Sequence, residues 1–193
     1  MSHDYSTSLN IAHIEARCCI YGPGLRYVIW FQGCSLQCPG CWNQGMWSTQ
    51  PNMLIERDVL LEQILVEKGI DGVTFLGGEP LQQPDNLLWL LCHLKERDVH
   101  IMLYTGYEND EISSDQLYHE ICQLADILII GRYHEHERDL FLQWRGSRNQ
   151  RVLIRDGKTQ CSDGINQIEI VIDEDGTIKC LGYPADTIID AFL

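Results

Sequence analysis

The sequence lacks the features of several protein classes. Its 193 residues contain no run of eighteen apolar residues, which excludes a membrane-spanning helix of ordinary length. Residues 1–5 have neither the basic stretch nor the apolar segment of a secretory signal, so we expect a cytoplasmic protein. Repeats and low-complexity tracts are also absent, and 45% hydrophobic with 22% charged residues is the composition of a globular protein. This length predicts one domain, spanning residues 1–193.

Positive charge is scarce. Fourteen Lys and Arg residues stand against 28 Asp and Glu residues, which gives a formal net charge of −14. Such a chain repels phosphate backbones and anionic lipid surfaces, so we expect neither nucleic acid nor a membrane as its main partner. An acidic surface instead favours a basic face on another protein.

Cysteine, by contrast, is abundant. Nine cysteines are an odd number in a chain without an export signal, which argues against a framework of disulfides. Metal binding or thiol chemistry is the better interpretation. The cysteines stand at positions 18, 19, 34, 38, 41, 92, 122, 161 and 180.

Strand patterns alternate with helix patterns along the chain, which predicts an α/β fold with a parallel sheet. The predicted strands are 25–31, 73–76, 99–104 and 126–130, and the predicted helices are 55–68, 86–97 and one that ends at residue 124. Ser113 and Gln116 are expected to form a capping box for that last helix. Residues 168–172 and 177–181, separated by an Asp-Gly turn, predict a β-hairpin as an antiparallel C-terminal appendage.

Glycine and polar residues follow the predicted strands at their carboxyl ends. Ligands bind beyond these ends in parallel sheets, and the ends of neighbouring strands meet at one edge. We therefore expect four short segments to converge there: Gly33-Cys34, Gly77-Gly78-Glu79, Thr105-Gly106 and Gly131-Arg132.

The strongest signal is the spacing C-x3-C-x2-C, formed by Cys34, Cys38 and Cys41. Gly33 and Gly40 permit the tight backbone that brings amide donors near the sulfurs of an inorganic cluster. Ordinary [4Fe-4S] sites use four cysteines, so three leave one iron without a protein ligand. An open coordination position is typical of a catalytic metal site.

Zinc is the alternative occupant of this loop. It would be held by the same three cysteines together with Cys18, Cys19 or a histidine such as His13. Structural zinc sites usually pair two C-x2-C units, and the second unit is missing here.

The loop GCSLQCPGCWN resembles the radical S-adenosylmethionine superfamily, which uses the same cysteine spacing. Within that superfamily, CPGCWN is similar to the activating proteins of anaerobic ribonucleotide reductase. The resemblance implies a partial (β/α)6-type parallel barrel that holds a [4Fe-4S] cluster and S-adenosylmethionine. Reductive cleavage of the cofactor would give a 5′-deoxyadenosyl radical, which takes a hydrogen atom from a backbone glycine of a partner, a glycyl-radical enzyme. The resemblance also implies an electron donor such as flavodoxin or ferredoxin, and no side-chain acid or base is required, so no catalytic residue is expected.

Further motifs extend the resemblance over residues 21–152. Gly77-Gly78-Glu79-Pro80 resembles the motif that holds the methionine amino group, through exposed carbonyls or the Glu79 carboxylate. The segment 104–107 (YTGY) resembles a wall of the cofactor pocket, and 144–150 (WRGSRNQ) a run near the end of these activating proteins. Arg26, in the YGPGLR entrance to the first predicted strand, is expected to contact a substrate or pair with a carboxylate. The implied cofactor-binding residues are Gly40, Trp42, Asn43, Gly77, Gly78, Glu79, Tyr104, Thr105 and Gly106, and the implied cluster ligands are Cys34, Cys38 and Cys41.

A C-terminal extension, residues 153–193, follows the part that resembles the activating proteins. It contains Cys161 and Cys180, which we interpret as ordinary thiols. The extension keeps two alternatives open: a stand-alone radical enzyme that acts on a small molecule or peptide, and a non-catalytic iron-sulfur or zinc module. In residues 133–137 (YHEHE), alternating His and Glu favour a solvated charged loop over a metal site.

Overall fold

The computed structural model describes residues 6–164, 167–172 and 175–185. These residues form a seven-stranded sheet, four α-helices and a separate two-stranded sheet. The strands are β1 (Ser8–Cys18), β2 (Arg26–Phe31), β3 (Met53–Glu56), β4 (Gly72–Gly77), β5 (Ile101–Thr105), β6 (Ile127–Ile130), β7 (Arg151–Ile154), β8 (Ile168–Ile172) and β9 (Ile178–Gly182). The helices are α1 (Arg57–Val66), α2 (Pro84–Lys95), α3 (Asn109–Ser114) and α4 (Gln116–Gln123).

The large sheet has the strand order β3-β1-β2-β4-β5-β6-β7. Its four central strands, β2, β4, β5 and β6, run parallel, as the alternation of strands and helices predicts. Strands β1, β3 and β7 flank them in antiparallel pairs, and none of these three is predicted from the sequence. The sheet is therefore mixed, with a parallel centre, and β2 is the second strand of the chain.

Helices cover one face of the sheet with leucine and isoleucine side chains. Leu60 on α1 and Leu90 and Leu91 on α2 are wholly buried in this core. Burying such a side chain contributes about 1.5–3 kcal/mol, so these apolar stripes fix α1 and α2 on the sheet. Both helices lie within two residues of their predicted bounds. No helix in the described part of the chain has the length and apolar character needed to cross a membrane.

The last predicted helix, expected to begin after Ser113 and to end at residue 124, corresponds to α4, and the short preceding helix α3 was not predicted. Asp115 lies between them and caps α4, because its carboxylate accepts hydrogen bonds from two amides of the first turn, at 2.9 and 3.1 Å. The predicted capping box of Ser113 and Gln116 is therefore wrong. Ser113 belongs to α3, where its hydroxyl donates to the Asn109 carbonyl at 2.6 Å.

The opposite face of the sheet is covered by the loop around Trp144 and by the C-terminal extension. Trp144 packs against Met102 and Ile129, and Leu181 of β9 packs against the group that includes Trp30. β8 and β9 form the predicted antiparallel hairpin. Part of its predicted turn, residues 173–174, lies outside the described residues.

Arg26 joins β2 to β4 at the end of the sheet that lies away from the cysteine loop. It begins β2 and is wholly buried. Its Nε donates to the Thr74 hydroxyl and a terminal nitrogen donates to the Val73 carbonyl, each at 2.6 Å. Burial lowers the pKa of the guanidinium to about 10. The two roles expected from the sequence are wrong, because the hydrogen-bond partners of Arg26 are neutral groups inside the protein.

Candidate cluster and cofactor site

The cysteine loop leaves the sheet at the carboxyl end of β2. The backbone amide of Gly33 donates to the Met46 carbonyl at 2.8 Å, and the amide of Cys34 donates to the Trp47 carbonyl at 3.1 Å. Cys34 is buried, whereas Cys38 and Cys41 are partly exposed. The loop thus closes on itself and holds its first cysteine inside, with the other two nearer the surface.

Two residues in left-handed conformation give the loop its tight course. Gln37 has a φ of 46° and Gly40 has a φ of 71°. A Cβ atom at position 40 would meet only the end of the exposed Glu135 side chain, which can move, so it is the left-handed conformation that favours glycine there. The expectation that Gly40 permits a close backbone turn is confirmed.

Backbone amides face the sulfur atoms of this loop. The amides of Leu36 and Gln37 are directed at the Cys34 thiol, and the amide of Tyr133 is directed at Cys38. Burial nevertheless raises the pKa of Cys34 to about 11, and it raises the pKa of Cys38 as well. Both thiols are therefore protonated at neutral pH without a metal, and iron must displace these protons when it binds.

The donor set fits a cluster better than a single zinc ion. In tetrahedral zinc sites the thiolate sulfurs lie about 4 Å apart, because each Zn–S bond is about 2.3 Å long. The three Sγ atoms of the loop are not a group within 4.8 Å of one another. Cys18 pairs with Arg26 across the sheet, so Cys18 and Cys19 lie at the far end of β2 and cannot complete a zinc site. The ring of His13 instead packs against Trp30 and lies 2.8 Å from the Glu15 carboxylate.

The Gly-Gly-Glu loop after β4 is hydrogen-bonded directly to the cysteine loop. The amide of Gly78 donates to the Phe31 carbonyl, and the amide of Glu79 donates to the Gly33 carbonyl, each at 2.8 Å. A Cβ atom on Gly78 would lie 2.4 Å from the Gly33 carbonyl oxygen. The two loops therefore form one unit, and Gly78 is needed for their close approach.

The Glu79 carboxylate joins this unit to the loop after β5. It is buried, with 1% of the residue exposed. It accepts hydrogen bonds from the Thr105 hydroxyl at 2.8 Å, the Gly106 amide at 2.8 Å and the Leu81 amide at 3.0 Å. Burial raises the pKa of Glu79 to about 7, although these donors oppose the shift. Both carboxylate oxygens therefore have donors within the protein.

Arg132, after β6, completes the convergence of the four loops. It donates to the Gly106 carbonyl at 2.6 Å and forms a bidentate pair with Glu111 at 2.5 and 2.8 Å. Its guanidinium also lies over the ring of Tyr107, 5.4 Å from the centroid. The predicted meeting of the strand ends is confirmed, while this clamping role of Arg132 was not predicted.

The WRGSRNQ segment supports the Arg132 loop from behind. Asn149 donates to the Arg132 carbonyl at 2.8 Å, and the Gln150 side chain donates to the Gly131 carbonyl at 3.0 Å. The Ser147 hydroxyl accepts from the His134 amide at 3.1 Å. Three polar residues of this motif, Ser147, Asn149 and Gln150, are therefore bonded to the backbone of a neighbouring loop.

A cleft with a volume of about 210 Å³ opens beside the third cysteine, and its wall includes four residues predicted from the sequence. These are Gly40, Cys41, Trp42 and Asn43. Tyr104 lies elsewhere, in a separate small cavity of about 30 Å³ together with Tyr21 and Trp144.

Two tyrosines of the cleft, Tyr133 and Tyr183, were not predicted. Burial raises the pKa of Tyr183 to about 12, with smaller effects from Cys41 and Tyr133, so its phenol is neutral. Tyr183 is distant in sequence from every motif, and no local pattern identifies it.

The histidine loop next to the cleft is largely solvated. His134 Nδ1 lies 3.1 Å from the Glu137 carboxylate, and the side chain of His136 is 80% exposed. Ligand atoms of His134, His136 and Glu137 lie within 4.8 Å of one another. This agrees with the solvated charged loop expected from the sequence, and we assign no metal to it.

Comparison with known proteins identifies the family. A family described as a 4Fe-4S single cluster domain matches residues 20–153. The anaerobic ribonucleoside-triphosphate reductase-activating protein of Enterobacteria phage T4 is 34% identical over 141 residues, which are 69% of this chain and 86% of that protein. Its counterpart in Escherichia coli (strain K12) is 30% identical over 141 residues, with 69% and 90% covered. The chain belongs to the radical S-adenosylmethionine activating proteins.

A second group of activating proteins is also similar. The pyruvate formate-lyase-activating enzyme of Staphylococcus aureus (strain NCTC 8325 / PS 47) is 32% identical over 148 residues, 72% of this chain and 59% of that enzyme. The chain is thus an activating enzyme of the radical S-adenosylmethionine type, with a [4Fe-4S] cluster and S-adenosylmethionine as cofactors.

Proposed function

We propose that this activating enzyme installs a glycyl radical on a partner enzyme of the anaerobic ribonucleotide reductase class. Relatives that match over most of their length carry that function in their names. The observation that carries the proposal is how much of these relatives the chain covers, 86% and 90% of their length. The cleft beside Cys41, about 210 Å³, already has to admit the cofactor, which leaves little room there for a private substrate. A glycine loop of another protein needs only backbone access.

We assign the cluster to Cys34, Cys38 and Cys41, with the fourth iron open to S-adenosylmethionine. When bound, these two groups supply one-electron cleavage of the sulfonium and a 5′-deoxyadenosyl radical. The chain's own residues position and shield them. The carbonyls of Gly77 and Gly78 accept from the methionine ammonium, and the remaining cofactor contacts come from Gly40, Trp42, Asn43, Thr105 and Gly106. The contact that the resemblance implies for Tyr104 is not supported, because Tyr104 lines a separate cavity. Glu79 fixes the loops by which these residues reach the cofactor.

Several finer expectations stay predictions. They are a partial (β/α)6-type barrel, a single domain over residues 1–193 with its core at 21–152, a cytoplasmic location, and flavodoxin or ferredoxin as electron donor. The formal net charge of −14 supports a partner that presents a basic face.

The test is anaerobic reconstitution followed by electron paramagnetic resonance with purified anaerobic ribonucleotide reductase. A glycine doublet that requires both proteins, reductant and S-adenosylmethionine is expected. Replacing Cys34, Cys38 or Cys41 by Ala abolishes cofactor cleavage, whereas the control Cys92→Ala, on α2, retains it.

Two results would contradict the proposal. Zinc, or iron saturated by a fourth protein ligand, removes its basis. Production of 5′-deoxyadenosine without any partner-dependent doublet favours the stand-alone enzyme that acts on a small molecule or peptide.

A further inference from the structure

The C-terminal extension is firmly docked on the helix-free face of the sheet. The amide of Gly182 donates to the Tyr21 hydroxyl at 2.7 Å, in a buried position. The Glu169 carboxylate accepts from the Cys18 thiol at 3.0 Å, and one terminal nitrogen of Arg145 donates to both carboxylate oxygens of Asp163, at 2.6 and 2.7 Å. These contacts fix the strand after which Tyr183 follows.

Tyr183 stands at the border of two cavities. It lines the cleft that contains Cys41 and Trp42, and it also lines the small cavity that contains Tyr104. The residue is partly buried. Its side chain therefore separates the cleft beside the third cysteine from this second cavity.

Tyr183 lies outside the residues that match the family, because that match ends at residue 153. Within the described part of the extension, residues 154–164, 167–172 and 175–185, Tyr183 is the residue found in the wall of the cleft. The C-terminal extension therefore adds a side chain to the cleft that the part of the chain matching the family does not supply.

We propose that the extension is a working part of the active site, in which Tyr183 shields the cluster and positions the incoming peptide backbone. This rests on the proposed function, since the cleft then has to admit an extended peptide segment around the target glycine beside the cofactor that Gly40, Trp42 and Asn43 contact. The phenol ring restricts the cleft to a segment without bulky side chains, and it limits access of small solutes to the cluster.

The first experiment does not require a partner enzyme. In the anaerobically reconstituted protein, the rate of iron release to the chelator bathophenanthroline disulfonate is measured for Tyr183→Phe, Tyr183→Leu and Tyr183→Ala. We expect the rate to rise as the side chain shrinks, to about fivefold for Tyr183→Ala, whereas Tyr183→Phe keeps the wild-type rate. The control is Ile178→Ala, on β9, where the side chain is exposed and outside the cleft wall.

Equal release rates in all these variants would overturn the inference. If Tyr183→Ala does not fold, as its thermal midpoint would show, the Tyr183→Leu and Tyr183→Phe pair decides the matter.

The second experiment uses anaerobic ribonucleotide reductase as the probe and measures glycyl radical formed per 5′-deoxyadenosine. Tyr183→Ala is expected to lower this ratio and Tyr183→Phe to restore it, and an unchanged ratio for Tyr183→Ala would refute the positioning role. If the wild-type protein yields no glycyl radical, the proposed function fails, while the chelator experiment still decides whether Tyr183 shields the cluster.

Discussion

The buried Glu79 carboxylate gives the sharpest test of how the cofactor loops are held. Thr105→Val keeps the shape of the side chain but removes the hydroxyl that donates to Glu79 at 2.8 Å. The hydrogen bond to a buried carboxylate is worth about 1.5–3 kcal/mol, whereas a bond between neutral groups is worth about 1 kcal/mol. The cost of the substitution therefore depends on whether Glu79 is ionised.

The sign of the pH dependence follows from the raised pKa of Glu79. Its pKa is about 7 in the folded protein, above the ordinary value of 4.5, so between these values the folded state binds more protons than the unfolded state. The contribution of Glu79 to stability is greatest below pH 4.5 and falls as the pH rises to 7. Thr105→Val removes a donor that favours the ionised form, so it raises the pKa of Glu79 further and steepens this fall.

The magnitudes are measurable by thermal unfolding of the anaerobically reconstituted protein at a fixed scan rate. At pH 8 we expect Thr105→Val to lose about 2 kcal/mol, which is about 4–8 °C for a chain of this size. At pH 5.5 the loss is about half as large, because Glu79 is then protonated in the folded state. In a Glu79→Gln background the pH difference should vanish. Equal shifts of Thr105→Val at both pH values in the wild-type background would refute the assignment of Glu79 as a buried, ionising acceptor.

Three other perturbations test the frame of the site. Arg26→Met leaves buried oxygens without donors, so the free energy of unfolding, measured in urea or by heating, should fall by about 3 kcal/mol. The control is Arg17→Met, at a half-exposed guanidinium, which should change the free energy of unfolding by less than about 1 kcal/mol. Gly78→Ala places a methyl group 2.4 Å from the carbonyl oxygen of Gly33, directly before the first cysteine, and should lower the iron content of the protein. The methyl group of Gly106→Ala meets only the end of a flexible leucine. This variant should keep its iron but bind S-adenosylmethionine more weakly. Equal iron content in these two variants would contradict the direct contact of the loops. Arg132→Lys loses the bidentate pair with Glu111. With its iron content unchanged, this variant should bind S-adenosylmethionine about threefold to tenfold more weakly, as measured by calorimetry. Full affinity for S-adenosylmethionine would show that Arg132 does not hold the loops of the site together.

The centre of the fold is predictable from sequence because its strands are continuous buried apolar runs. β2 and β6 are buried at every position, so no alternation is needed to recognise them. β3 is mostly exposed, and β1 mixes buried and half-buried positions along its eleven residues, so neither shows a clear strand pattern. Backbone pairing with a neighbour forms these strands, and the local sequence does not reveal that neighbour.

The candidate site divides in the same way. The cysteine spacing is local, so the sequence alone places all three cysteines in one loop. The role of Glu79 depends on donors at Thr105 and Gly106, which are 26 and 27 residues further along the chain. A motif can therefore name Glu79 without showing that its oxygens are already occupied. Tyr183 reaches the cleft through the docking of an entire hairpin, which no local pattern encodes.

The two ends of β4 make different contacts: one end holds the sheet together, and the other holds the cofactor loops. Variants at the two ends can therefore distinguish an effect on the sheet from an effect on the cofactor loops. Thr74, near one end, accepts from the buried Arg26, while Glu79, just past the other end, is bonded to the loop before the first cysteine. Arg26→Met and Thr105→Val should both lower stability, since each removes a hydrogen bond from a buried polar group. The affinity for S-adenosylmethionine should fall in Thr105→Val and remain unchanged in Arg26→Met at temperatures where both are folded. A parallel loss of affinity in both variants would show that the cofactor loops depend on the whole sheet and not on the Glu79 contacts.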